Sequence, residues 1–181
     1  MGFFSKFFGR SATAIDKGQP VPLTALALAQ ALFNMALDRR DGIDQTLAEA
    51  DRFSQLPGVR HSDPYSTELF FFALAPTDHV LRDLSQPEYR RVRQLLHMDV
   101  VKQATGTQAG STASQWLAAM DQRFSEYSGF VQRGDLQGLG ARAAAHIGLG
   151  GDLLSEIALA GAFTSALNPT LSLIESCRIR G

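Results

Sequence analysis

Alanine and leucine, with 24 and 23 residues, outnumber valine and isoleucine, with 7 and 6, by more than three to one. Small and unbranched side chains lose little rotamer freedom in a helix, whereas β-branched ones suit strands, so this balance points to an all-α fold. With 45% hydrophobic residues in 181, the chain can fill one core and is too apolar for wholesale disorder. The expected architecture is a single-domain helical bundle of about seven or eight helices in mixed or orthogonal packing.

Charge and cysteine usage narrow the function classes. A formal net charge of -1 removes the sequence-independent attraction to phosphate, so nucleic acid is not an expected partner. Cys177 is the one cysteine, which excludes an intrachain disulfide and a multi-thiolate zinc site and makes a reducing cytoplasm the expected location.

The chain divides into a Phe-rich amphipathic tip at 1–10, a linker at 11–21 and an all-helical domain at 22–181. In the tip, Phe3, Phe4, Phe7 and Phe8 alternate with Lys6 and Arg10, a run too short and interrupted for a signal peptide. Four phenylalanines on a short tail are costly in water unless they bury. They are therefore read as a contact for the chain's own body or a second copy, for a partner protein, or for a membrane surface. Two cations give the last only weak attraction.

From Leu23 to Leu37 the chain is nearly all apolar, but 15 residues fall short of the roughly 20 that span a bilayer, and no transmembrane helix is read. Gln30, Asn34 and Asp38 form one polar stripe on a helix over 23–40. Asp41 and Gly42 predict a break and a second helix at 43–54, making a hairpin. Pro64 predicts a start, Phe70, Phe71 and Phe72 point three ways, Pro76 predicts an end, and a short turn follows at 78–84. Ser85 and Glu88 match a capping box opening a helix to Ala104, with Val92, Leu96 and Val100 on its core face. A long helix ends at Gln132, with Trp116, Met120, Phe124 and Tyr127 inward. Seven glycines in 134–161 predict short helices in close backbone approach, and Ala158, Ala162 and Ser165 a small-residue groove. Asn168 and Pro169 predict a fresh start for a last helix ending at Arg178 and Arg180.

Strong catalytic motifs are missing. The Gly138-Leu139-Gly140-Ala141-Arg142-Ala143 run fits a loose dinucleotide pattern, but no strand precedes it. Three histidines stand near acids: His61 with Asp63, His79 with Asp78, His97 with Asp99. Converged, they would suit a metal or a general base, although Asp63 and Asp78 also suit helix caps. Arg90, Arg93 and His97 line one helix edge and form a candidate anion-binding edge. Asp99 and Arg123 fall in apolar arcs of successive helices; they either meet as an ion pair or reach solvent separately, the second being favoured. Cys177, near a helix C-terminus, is read as a packed residue and not a nucleophile.

No catalytic set, metal site or cofactor is assigned. The expected function is a non-catalytic helical interaction or adaptor protein that self-associates or binds a protein partner. The alternatives are a small enzyme or metal protein built on the His/Asp pairs, and a peripheral membrane protein anchored by residues 1–10.

Overall fold

Every residue from Phe71 to Leu81 is buried in the computed structural model of the chain, which describes residues 21–51, 63–105 and 111–179. That run is the middle of a helix surrounded by the others. The elements are β1 (Val21–Leu23), α1 (Ala25–Asp51), α2 (Asp63–Asp83), α3 (Pro87–Thr105), α4 (Ser111–Gln132), α5 (Leu136–Ile147), α6 (Leu153–Glu175) and β2 (Cys177–Ile179). The all-α class holds, with six helices among the described residues instead of seven or eight.

The three consecutive phenylalanines of α2 show why it is central, because side chains one residue apart diverge by about 100° on a helix. Phe70 packs edge-on against Phe33 of α1, and Phe71 against Trp116 of α4. Phe72 meets both Tyr127 of α4 and Phe163 of α6. Each ring thus reaches a different part of the surrounding layer.

The lower helix count has one cause, repeated three times: a residue that predicts a break lies inside a continuous helix. Gly42 does not end α1, because Leu28, Leu32, Ala36, Ile43 and Leu47 are buried along one unbroken face. Glycine in a helix costs about 1 kcal/mol, less than the roughly 1.5 to 3 kcal/mol gained by burying either Ile43 or Leu47. Pro76 lies within α2 between buried residues, and Pro169 within α6, one residue before buried Thr170 and three after buried Ala166. Nor does the capping box close: among the described residues no side-chain hydrogen bond joins Ser85 or Glu88 to the backbone, and α3 begins at Pro87 with Tyr89 N donating to the Gln86 carbonyl at 3.2 Å.

The glycine-rich stretch forms the α5–α6 hairpin. Asp135 caps α5 by accepting from Gly138 N at 2.8 Å, and Gly148 ends it at φ 89°. A Cβ on Gly140 would collide with the Glu156 carbonyl, which is the close backbone approach expected there. After α6 the chain is not helical to Arg180. Residues 177–179 pair in parallel with β1, Val21 opposite Cys177 and Leu23 opposite Ile179. Cys177 is buried and unbridged. Phe3, Phe4, Phe7 and Phe8 lie outside the described residues, as does His61.

Candidate functional site

Asp78 holds the densest set of charged groups. It sits on the buried run of α2, its side chain wholly inaccessible. Arg93 Nε donates to Oδ1 at 2.5 Å, His97 Nε2 to Oδ1 at 2.8 Å, and Arg82 Nη2 to Oδ2 at 3.0 Å. A carboxylate can only accept, so the imidazole proton sits on Nε2. Burial alone would raise the Asp78 pKa, but the His97 hydrogen bond and the Arg93 charge outweigh it and hold the carboxyl below its ordinary value.

The candidate edge residues therefore part company. Arg93 and His97 converge on Asp78, and the anion they hold is the chain's own carboxylate; Arg93 also reaches Asp121 at 3.1 Å. Arg90 is exposed and takes no part. The histidines exchange their sequence neighbours for partners from other turns: His97 bonds Asp78 and not Asp99, and Asp99 lies 3.7 Å from Lys102. His79 shares a hydrogen bond of 3.1 Å with Ser128 and stands 3.7 Å from Asp83. Serine, histidine and acid are in line there, but Ser128 is buried inside α4, where the helix uses the backbone N–H groups an oxyanion would need. Among the described residues no three His, Cys, Asp or Glu side chains gather to hold a metal ion.

Two further ion pairs tie α4 to its neighbours. Arg123 grips Glu68 of α2 with two hydrogen bonds of 2.9 Å, so its partner is not Asp99 and it does not reach solvent alone. Glu126 accepts from Arg142 at 3.1 and 3.2 Å and lies 2.9 Å from His146. The Arg142 hydrogen bonds hold its carboxyl down at about 2. Between these pairs the Tyr127 hydroxyl is buried without a hydrogen-bond partner among the described residues, and burial raises its pKa.

A different arginine was hidden from sequence reasoning. Arg39 of α1 donates through Nη1 to the Ala73 carbonyl at 2.7 Å and through Nη2 to Thr170 Oγ1 at 3.1 Å. Thr170 in turn donates to the Ala166 carbonyl at 2.7 Å. A proline removes the N–H that the carbonyl four residues earlier would accept, here those of Phe72 and Ser165, and its ring crowds the turn before it. Ala73 lies three residues before Pro76 and Ala166 three before Pro169. Arg39 thus ties α1 to both proline-containing helices. No carboxylate among the described residues pairs with it, and desolvation lowers its pKa to about 10. It lines a groove of about 500 Å³ between α1 and α6 whose walls include Met35, Ile43, Ala162, Ala166 and Pro169. Ala162 and Ser165, read as a small-residue groove, both lie in its lining. The available signal was position 39 itself, which continues the apolar register of Leu32, Ala36 and Ile43 once the helix runs through Gly42.

The outer face of α6 is the last feature. Leu153, Leu154 and Ile157 are 59, 49 and 61% exposed, and the helix's ionisable residues are Glu156 and Glu175 alone. By length and composition α6 could cross a membrane, the one such helix among the described residues; the opposite side of it, including Leu159, Phe163 and Ile174, is core. No family model, curated protein or solved structure matches this chain.

Proposed function

We propose that this protein acts by non-covalent association and not by catalysis, pairing with a second copy of itself through the outer face of α6. The observation that carries this reading is the exposed apolar start of that helix, where Leu153, Leu154 and Ile157 stand in water with Glu156 as the one charged side chain of the helix beside them. Exposed apolar clusters of this kind mark association surfaces. The face is also complementary to itself. Its first half is bulky, while further along the same face Gly161 has nothing within 4 Å of where a Cβ would stand, and Ser165 is exposed. An antiparallel copy sets the bulky half of one helix on the small half of the other, the two-fold arrangement commonest among homo-oligomers. Among the described residues, His97 is bonded to Asp78 and His79 to Ser128 inside the fold, which favours a structural use of both histidines.

Sedimentation velocity on the full chain tests this. A dimer that Ile157→Glu converts to a monomer with unchanged helicity is the expected result; a wild-type monomer across the accessible concentration range overturns it. The length and hydropathy of α6 favour a second reading, attachment to a membrane surface. Co-sedimentation with lipid vesicles, lost in the same variant while the wild type stays monomeric in solution, would select it.

A further inference from the structure

We propose that the groove between α1 and α6 is a binding site for a small organic monocarboxylate with an apolar body, its carboxylate held by Arg39. A guanidinium carries five N–H donors, and the Ala73 carbonyl and Thr170 hydroxyl take one each. Three remain without an acceptor among the described residues.

This sets Arg39 apart from the other arginines that are withdrawn from solvent. Arg93 is matched by Asp78 and Asp121, and Arg123 by Glu68. Arg39 is partly buried with no counter-charge among the described residues, and withdrawing a cation from water in this way is unfavourable unless an anion joins it.

The groove defines the rest of the ligand. Among the described residues no second cation lines it, so a single negative charge is matched and a phosphate dianion is not. Met35, Ile43, Ala162, Ala166 and Pro169 present carbon to whatever lies beyond the carboxylate. About 500 Å³ falls within the ordinary range of small-molecule sites. The two fixed hydrogen bonds also preorganise the guanidinium, so little side-chain entropy is lost on binding.

Isothermal titration of the full chain with decanoate, decanol and acetate tests the assignment. Decanoate is expected to bind at least about tenfold more tightly than decanol, which lacks the charge, and than acetate, which lacks the apolar body. Thr46→Phe fills the groove from α1 at an exposed position that lies outside the Arg39 hydrogen bonds. It should abolish decanoate binding with the melting temperature kept. Arg39→Lys, which keeps the charge but loses the fork, should weaken binding by about tenfold or more. Equal affinity for decanoate and decanol overturns the proposal, as does binding that survives Thr46→Phe. Binding unchanged in Arg39→Lys, with only the melting temperature lowered, overturns it too and leaves Arg39 a clamp between helices.

Discussion

Arg39 Nη2 and Thr170 Oγ1 meet at 3.1 Å across 131 positions of sequence, and through this contact one side chain on α1 supports both proline-containing helices. The other end of the guanidinium holds the Ala73 carbonyl beside Pro76. Replacing Arg39 by methionine keeps much of the apolar stem but leaves both acceptors without a donor. A loss of about 2 to 4 kcal/mol is expected, from two hydrogen bonds to a charged donor. Urea unfolding measures it, and a loss below about 0.5 kcal/mol would show that neither helix needs the clamp.

Asp78 gathers Arg82, Arg93 and His97 at a fully buried point. Asp78→Ala removes the one group common to all three and strands the donors that faced it. The expected cost is about 3 to 5 kcal/mol, the range for breaking a buried ion pair from one side. His97→Phe, which keeps a ring against Phe124 but removes the Nε2–H, should cost less; chemical denaturation of the two variants ranks them.

Acid should destabilise the fold over a defined window. The folded state holds the Glu126 carboxyl at about 2 against an ordinary 4.5, so it favours the ionised form. Its contribution is complete above 4.5 and disappears as pH falls toward 2. Asp78, also lowered in the folded state, acts in the same direction below its ordinary 3.8. Denaturant midpoints from about pH 7 to about pH 2 should show Glu126→Gln less stable than wild type at neutral pH, with the difference vanishing at the acid end.

Two glycines in helices should respond oppositely to alanine. At Gly140 a Cβ strikes the Glu156 carbonyl, so α5 and α6 must separate, costing about 1 to 3 kcal/mol. At Gly42 no other described residue comes within 4 Å of the added carbon beyond the helix's own backbone, and the helix gains about 0.5 to 1 kcal/mol. Thermal melts of Gly140→Ala and Gly42→Ala should therefore move to either side of wild type.

The bidentate pair of Arg123 and Glu68 should show coupling in a double-mutant cycle of about 1 to 3 kcal/mol, since both side chains are largely withdrawn from water. Asp99→Ala should show none with Arg123, because the two share no contact.

These contrasts mark what the chain discloses before it is folded. Local periodicity identified the helix class and the inward residues of α4, because a face repeating every three or four residues needs no knowledge of its partner. Gln30 and Asp38 are exposed and Asn34 half-buried on α1, as their i, i+4 spacing required. Helix ends were less legible. Gly42, Pro76 and Pro169 carry intrinsic penalties that a sequence shows, while the burial that offsets them belongs to the tertiary structure. Partner choice was least legible of all. His97 lies two residues from Asp99 and bonds Asp78 on another helix, and Arg123 found Glu68, an acid that no pattern singled out.

The parallel pairing of Val21–Leu23 with Cys177–Ile179 has a mechanical consequence. Tension applied at the two ends of the domain pulls these strands in opposite directions along their own axes. The ladder is therefore loaded in shear, and its bonds must give way together instead of unzipping one at a time. Until they do, the force passes from strand to strand at the rim of the domain, and neither α1 nor α6 is drawn out of the core.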